Sequence, residues 1–358
     1  MRTSLKRYPG QAGRWATVRI AVVALSAAMA MACSASYVPP AEVSLPPKVT
    51  TPSVPTPTLA ACDNLTPIAA VATYPPLDPM PTPGGLMPPG SYMETIARRG
   101  KLIVGTSIDT LLFSSVNPAS NQMEGFDVDM ARLVAAAIFG TAEGHVELRG
   151  ITWAQRIPLV LNGELNLVAQ TMTINCKRWQ QLAFSEVYLY AGQKLLVAVD
   201  SSASSLEDLA GQTVCVSAGG TSADAMRALK VVPPITVIEV SNQTDCVVLF
   251  QRGEVDAIRT DDTVLAGFAA QDPFSKIVGP ALSSEPYGMA MSLEHPEFVR
   301  FVNSVLRQAK SDTSSKGWQA SYNRWLLPAL GEPLTKIDLA AAGPAAFGIP
   351  VADYSRMP

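Results

Sequence analysis

Cys33 combines a reactive side chain with a position that indicates covalent modification. It follows a segment with five basic residues and then the apolar run 20–31, which ends at the small residue Ala32. This order is typical of an export signal, and the cysteine predicts a lipoprotein signal that is cleaved before Cys33 and acylated on its thiol. Ala30 stands where such signals usually carry leucine or another aliphatic residue, so a plain secretory signal is the alternative. A transmembrane anchor is disfavoured, because the apolar run is well short of the roughly 20 residues that span a bilayer.

Four further cysteines are candidates for disulfide bonds. With Cys33 set aside as the lipid site, an even number remains: Cys62, Cys176, Cys215 and Cys246. None of their spacings is C-x-x-C and the chain has only two histidines, which disfavours a zinc site and favours disulfides in an oxidising compartment. We predict that Cys215 pairs with Cys246, because a strand and the start of the next helix bring them together, which leaves Cys62 for Cys176.

Charged and hydroxyl side chains near the ends of predicted strands are candidates for binding a small polar molecule. Arg178 follows a predicted strand, and its planar guanidinium can pair with both oxygens of a carboxylate, which lysine cannot do. Taken alone, it could equally cap a helix at the surface. Thr221 lies in the turn GGTS at 219–222, which opens a helix, and with Asp224 it fits a capping box. Free amide groups at such a helix start also form an anion site.

Alternating strands and helices must position these residues. In the first half, the pattern predicts strands over 100–105 and 165–173 and helices over 126–139 and 152–161. In the second half, it predicts strands over 214–217, 235–240 and 253–258 and helices over 224–229 and 245–252.

One helix–glycine–strand phrase occurs twice, as NGELNL at 162–167 and as RGEVDA at 252–257. Such junctions are common enough to recur by chance. Strand–helix alternation predicts parallel sheets, and two copies of it predict an α/β fold with two lobes. Because ligands of open α/β sheets bind beyond the carboxyl ends of the strands, two facing lobes would form a binding cleft.

The net charge and the proline-rich N-terminal part of the chain are typical of an exported protein with a spacer. The 358 residues carry a net charge of −3, and no basic block follows the leader, which argues against nucleic acid as a partner. Residues 33–90 are rich in proline and poor in large apolar side chains. We therefore expect an extended spacer after Cys33, attached to the folded part by the predicted disulfide of Cys62.

Six phrases together carry a resemblance to a known family. They are GFDVD at 125–129, TMTINCKR at 171–178, FS at 184–185, GGTS at 219–222, GEVDA at 253–257 and PYGM at 286–289. In this order they resemble the polar amino-acid branch of the bacterial extracellular solute-binding proteins. The resemblance implies a two-lobed, periplasmic-binding-protein-like (Venus flytrap) α/β fold that closes on an amino acid.

The same resemblance predicts the domain boundaries. After a signal peptide over 1–32 and the spacer over 33–90, lobe 1 would comprise 91–190 and 286–334, lobe 2 would comprise 191–285, and 335–358 would be a tail. The chain would cross between the lobes near 190–194 and near 281–286.

The resemblance also assigns roles to individual residues. Arg178 matches the arginine that grips the α-carboxylate of the ligand. Asp261 matches the carboxylate that binds its ammonium, with the adjacent Asp262 as the alternative. Further ligand contacts are expected from Trp153, Thr171, Thr173, Thr221, Ser222 and Asp109. Alternatively, Trp153 belongs to the core, and Thr171 and Thr173 reflect ordinary β propensity.

Because of two departures from the family pattern, the sequence does not determine which side chain the ligand carries. The family often has aspartate at the position of Ser107, whereas this chain has Asp109 two residues later. Relatives commonly carry a basic residue at the positions of Ser217 or Ala218, which reads the ligand's side chain, and this chain has none there.

By resemblance we expect a monomeric, extracytoplasmic protein, lipid-anchored to the cell membrane, that passes glutamate or glutamine, or else aspartate or asparagine, to an ABC permease. Neither a cofactor nor a metal is implied. An amino-acid sensor that docks on a membrane signalling protein is the alternative. A dehydratase on the same fold is less favoured: no Ser/His/Asp triad or Cys/His pair is readable with two histidines, although Asp109 near Asp261 could imitate an acid/base pair.

Overall fold

The computed structural model describes residues 73–331, which form three β-sheets flanked by helices. Cys33, Cys62, the predicted signal peptide and the predicted tail lie outside these residues. Within the described part, no helix has the length and apolar character needed to cross a membrane.

The described residues contain ten α-helices and fourteen strands. The helices are α1 (Tyr92–Arg99), α2 (Phe126–Phe139), α3 (Arg156–Leu161), α4 (Cys176–Trp179), α5 (Thr221–Ala228), α6 (Gln243–Gln251), α7 (Asp262–Gln271), α8 (Pro296–Ser311), α9 (Trp318–Trp325) and α10 (Leu327–Leu330). The strands are β1 (Leu102–Thr106), β2 (Asp109–Thr110), β3 (Ser114–Asn117), β4 (Gln122–Glu124), β5 (Val146–Gly150), β6 (Leu167–Val168), β7 (Ala183–Phe184), β8 (Leu189–Ala198), β9 (Thr213–Ser217), β10 (Thr236–Val240), β11 (Ala257–Asp261), β12 (Ser275–Val278), β13 (Ser284–Tyr287) and β14 (Ala290–Met291).

The first large sheet has the strand order β5-β1-β6-β14-β7. Strands β5, β1 and β6 are parallel, and β14 is antiparallel to both β6 and β7. Its main core includes Phe126 of α2 and Phe298 of α8, both fully buried. Gly125, at φ +136°, precedes α2, and a Cβ there would lie 2.3 Å from the carbonyl oxygen of Phe113. We call this sheet, the small β2-β3-β4 sheet, α1–α4 and α8–α10 lobe 1.

The second large sheet has the order β10-β9-β11-β8-β12 and, with α5–α7, forms lobe 2. Strands β10, β9 and β11 are parallel, and β8 is antiparallel to β11 and β12. The predicted disulfide between Cys215 and Cys246 is confirmed and joins β9 to α6. Cys176 is disulfide-bonded as well, while its predicted partner Cys62 lies outside the described residues.

Two antiparallel strands connect the lobes. The first half of β8 pairs with β13, from Leu189 opposite Tyr287 to Gly192 opposite Ser284. The second half of β8 belongs to the sheet of lobe 2, beginning with Gln193 opposite Asp261. The predicted α/β fold with two lobes and two connecting segments is therefore confirmed, whereas the residue boundaries of the lobes stay a prediction.

Three local predictions are wrong. The strand predicted over 165–173 is limited to β6, because the backbone turns at Thr171, where φ is +38°. The strand predicted over 253–258 begins only at Ala257, since the preceding residues form a turn. The capping box of Thr221 does not form, because Gly220 is the N-cap of α5 and Thr221 is already the first helical residue.

The end of the predicted spacer, 73–90, is folded against lobe 1 rather than extended. Thr73 is buried, and the backbone N–H of Leu77 donates to the carbonyl oxygen of Arg300 at 2.9 Å. The side chains of Arg300 and Asn303 on α8 donate to carbonyl oxygens of this segment. Proline carbonyls remain good hydrogen-bond acceptors, so polar residues of α8 can bind a proline-rich segment whose composition alone predicts no contact.

Candidate functional site

Arg178 lies between the two lobes. It is on α4, where its backbone N–H donates to the side chain of the N-cap residue Asn175 at 3.0 Å. The buried guanidinium donates to the carbonyl oxygen of Thr173 at 2.8 Å and to that of Gly219, in lobe 2, at 3.3 Å. Burial lowers the pKa of Arg178, while the negative charges of Glu285 and Asp261 raise it. A cation at this place can pair with an anion that enters between the lobes.

Asp261 places a carboxylate in the same region from the end of β11. Its Oδ2 accepts a hydrogen bond from the hydroxyl of Tyr287 at 2.5 Å, and its buried Oδ1 has no hydrogen-bond partner within 73–331. Burial, followed by the charge of Glu285, raises the pKa of Asp261 well above its usual range. The alternative residue, Asp262, accepts from the backbone N–H of Gly192 at 3.1 Å.

Four predicted ligand contacts each carry a buried polar atom that has no hydrogen-bond partner in the described part of the chain. These atoms are Nε1 of Trp153, Oγ1 of Thr171, Oγ of Ser222 and Oδ1 of Asp261. An unsatisfied buried polar group costs about 1–3 kcal/mol. The set contains an N–H donor, two hydroxyls and a carboxylate oxygen, so it can bond a ligand with both donors and acceptors. Gln170 Oε1 and Thr106 Oγ1 share this property and were missed.

The turn at Thr171 is held by Asp127, which sequence reasoning placed only in the first turn of a helix. The backbone N–H of Thr171 donates to Oδ2 of Asp127 at 2.8 Å, and the Tyr188 hydroxyl donates to Oδ1 at 2.6 Å. Burial raises the pKa of Asp127 from 3.8 to about 7, although both hydrogen bonds and the charge of Arg156 lower it. Asp127 therefore positions a predicted ligand contact from inside the core.

Glu285 links predicted ligand contacts of both lobes. It is buried on β13, and its carboxylate accepts from the hydroxyls of Thr173 at 2.6 Å and Thr221 at 3.0 Å. Its other oxygen accepts from Nε2 of Gln193, on β8, at 3.0 Å. Sequence reasoning missed Glu285, although it directly precedes the phrase PYGM. Because both connecting strands contribute to this cluster, it lies where the lobes are joined.

Two further arginines border the site and were also missed. Arg156 donates to the carbonyl oxygen of Gly219 at 3.1 Å and lies 4.7 Å above the ring of Trp153. Arg259 donates to Oε1 of Gln193 at 3.0 Å. It precedes Asp261 by two positions on β11, and this spacing places both residues on one face of the strand. Burial lowers the pKa of each arginine.

The buried charges around the cleft are mixed. Arg156, Arg178 and Arg259 face a region that also holds the carboxyls of Asp261 and Glu285. Such an arrangement suits a molecule that itself carries both charges, since a buried charge without a partner is costly. No cluster of three or more His, Cys, Asp or Glu residues within 73–331 is placed to hold a metal ion.

Two of the predicted contacts, Trp153 and Asp109, have different surroundings. Trp153 is buried, and its ring lies so close to Gly220 that a Cβ there would be 3.1 Å from Cε3. Asp109 accepts hydrogen bonds from Ser107 and from Thr244. No hydrogen bond or ion pair in the described residues joins Asp109 to the other predicted contacts, and its role as a ligand contact stays a prediction.

The chain is similar in sequence to known binding proteins. Residues 102–328 match the family of bacterial extracellular solute-binding proteins, family 3. The chain is 40% identical over 214 residues to a glutamine-binding protein of Geobacillus stearothermophilus, covering 60% of this chain and 80% of that one. It is 32% identical over 235 residues to the ABC transporter glutamine-binding protein GlnH of Bacillus subtilis (strain 168), covering 65% of this chain and 84% of that one. Both are named as binding proteins, not as enzymes.

A solved structure has the same fold. The ancestral amino acid-binding protein AncCDT-1, a precursor of cyclohexadienyl dehydratase, is similar with a TM-score of 0.59 and 31% identity, covering 66% of this chain and 99% of that one. The predicted resemblance is therefore confirmed, and the chain belongs to the bacterial extracellular solute-binding proteins, family 3.

Proposed function

We propose that this protein is an extracytoplasmic, lipid-anchored substrate-binding protein that captures glutamine or glutamate by lobe closure and delivers it to an ABC transporter. The observation that carries the proposal is a buried guanidinium and a buried carboxyl group, those of Arg178 from lobe 1 and Asp261 from lobe 2, in a cleft with unpaired polar atoms. The relatives named as glutamine-binding proteins support this class of ligand.

The charged ends of an α-amino acid fit these two residues. Arg178 binds the α-carboxylate with two parallel hydrogen bonds, for which the guanidinium fork is suited. Asp261 binds the ammonium through its unpaired Oδ1, and it is preferred over Asp262, whose carboxylate bonds the backbone of β8. Thr171, Thr173, Thr221 and Ser222 offer hydroxyls to the ligand, and the ring of Trp153 covers its aliphatic stem.

The membrane partner and the anchor rest on different support. The name of the relative GlnH supports delivery to an ABC transporter, and docking on a signalling protein is the alternative for the same ligand site. Acylation of Cys33 follows from the leader alone. We infer that the protein is not an enzyme, because the acid that could pair with Asp261, Asp109, bonds Ser107 and Thr244 instead. A monomeric state is inferred from the family resemblance alone.

A thermal-shift screen of the twenty amino acids tests the ligand class. Glutamine or glutamate at 100 times its Kd should stabilise the protein by about 2.7 kcal/mol, and the best ligand then enters calorimetry. A protein that none of the amino acids stabilises would refute the proposed function.

Arg178→Ala tests the position of the site. The variant leaves a buried ligand carboxylate without its partner, which costs about 2–5 kcal/mol and lowers affinity by roughly thirtyfold to several thousandfold. Arg178→Lys should also bind poorly, since one ammonium cannot replace the fork. Lys177→Ala on the same helix is the comparison variant: Lys177 is exposed, and its ion pair with Asp224 of lobe 2 is a surface pair, so its loss should lower affinity by no more than about fivefold. If Arg178→Ala, shown to be folded by circular dichroism, binds within about threefold of wild type, the site is misplaced.

A further inference from the structure

Asp109 belongs to lobe 1, but its carboxylate bonds lobe 2. Its Oδ2 accepts hydrogen bonds from the backbone N–H of Thr244 at 3.1 Å and from the hydroxyl of the same residue at 2.7 Å. Its Oδ1 accepts from the hydroxyl of Ser107, in lobe 1, at 2.5 Å. One carboxylate thus spans the two lobes.

The contact occurs at the start of α6, a helix without a side-chain cap from its own lobe. The N-cap residue Asn242 makes no capping hydrogen bond, and its Nδ2 instead donates to Asp245 at 3.3 Å. An N-cap side chain normally accepts from the N–H of the second or third helical residue. Thr244 is the second residue of α6, so Asp109 supplies this bond from the opposite lobe, and its negative charge faces the positive end of the helix dipole.

The start of α6 is fixed firmly to the rest of lobe 2. The disulfide between Cys215 and Cys246 joins the helix to β9. Gln243 accepts a hydrogen bond from Ser217 at 2.8 Å and donates to the hydroxyl of Thr260, on β11, at 2.9 Å. Because α6 moves with β9 and β11, separation of the lobes must break both bonds between Asp109 and Thr244.

We propose that Asp109 is a closure latch, a positioning residue that raises ligand affinity by stabilising the closed lobes without touching the ligand. The inference rests on the proposed function, in which ligand binding requires closure. A ligand shifts the equilibrium between open and closed lobes only by its differential affinity for the two states. The latch acts on the same equilibrium but does not contact the ligand. It therefore adds the same free energy to the binding of every ligand. Its loss should weaken all ligands by one common factor, mainly through faster dissociation.

Asp109→Ala in the full chain is the test, with glutamine, glutamate, asparagine and aspartate as ligands. By the size of N-cap effects, affinity should fall about two- to thirtyfold. The ratio of wild-type affinity to variant affinity should agree within about twofold among all ligands that wild type binds. Stopped-flow kinetics should show faster dissociation. The isosteric Asp109→Asn should show a smaller loss of the same kind, and it serves if Asp109→Ala does not fold.

Two further variants separate the latch from general effects on α6. Asp245→Ala removes an exposed acid from the first turn of the same helix but touches only lobe 2, so its affinities should equal those of wild type. Thr244→Ala in the Asp109→Ala background should add little, because the bond to its hydroxyl is already lost.

Three results would overturn the latch. Unchanged affinity in Asp109→Ala would show that the contact contributes nothing to closure. If the loss of affinity in Asp109→Ala differs strongly between acidic and amide ligands, Asp109 contacts the ligand. An equal loss in Asp245→Ala would assign the effect to the helix itself. A wild-type protein that binds no amino acid would instead refute the proposed function, and the latch with it.

Discussion

Replacing Asp127 with asparagine should abolish a loss of stability that wild type undergoes as the pH rises. Burial raises the pKa of Asp127 from 3.8 to about 7. The folded chain therefore holds this proton more tightly than the unfolded chain. The resulting stabilisation is fully present below pH 3.8 and is lost as the pH rises through about 7.

The size of the effect follows from the two pKa values. At about 1.4 kcal/mol for each pH unit between them, the whole loss is about 4 kcal/mol. About 2 to 3 kcal/mol of it falls between pH 5 and pH 8, because the unfolded group is already mostly ionised at pH 5.

Urea unfolding of wild type and Asp127→Asn at several pH values from 5 to 8 measures this difference directly. Subtracting the two free energies of unfolding removes the contribution of other buried acids such as Asp261. Tyr188→Phe is an informative companion, since it removes a hydrogen bond that lowers the pKa of Asp127 and should move the decline to higher pH. Parallel stability curves for wild type and Asp127→Asn would refute the reasoning.

Three more predictions concern the site, the disulfide and the anchor. Asp261→Asn should weaken ligand binding about thirtyfold or more, because it removes the charge that holds the ammonium, while Asp262→Asn should stay within about threefold; equal losses in calorimetry would contradict this assignment. Replacing Cys215 and Cys246 together with alanine should lower the free energy of unfolding by about 3 to 4 kcal/mol, given their separation of 31 residues, and urea unfolding that matches wild type would exclude a stabilising role. Cys33→Ala should leave the membrane fraction and lose incorporated fatty acid, whereas unchanged retention without label would argue against acylation.

The sequence predicts elements well where apolar periodicity and glycine boundaries agree. Helix α2 has the predicted bounds, because its apolar residues recur at helical spacing and Gly125 and Gly140 flank it. The pairing of Cys215 with Cys246 was predicted correctly, but for an incomplete reason, because α5 and β10 lie between β9 and α6 in the chain. Helix α6 connects β10 to β11, which flank β9 in the sheet, and it therefore passes over β9.

The features that the sequence did not predict depend on contacts between distant parts of the chain. The turn at Thr171 is stabilised by Asp127, 44 positions earlier, and alternating threonines otherwise favour a continuous strand. Glu285 joins Thr173 and Thr221 only because β8 and β13 run side by side between the lobes. Arg259 could have been found from the sequence, since residues two apart on a strand share a face, but the predicted strand ended at 258, three residues before the end of β11.

The attachment of residues 73–90 has a mechanical consequence. Every described hydrogen bond between this segment and other parts of the chain ends in lobe 1, at α1 or its N-cap residue Ser91, at α8 or at β7. A pulling force applied on the N-terminal side of Thr73 would therefore load lobe 1 and leave lobe 2 outside the line of force. Lobe 2 could then swing about β8 and β13 without doing work against tension in the chain that precedes the fold.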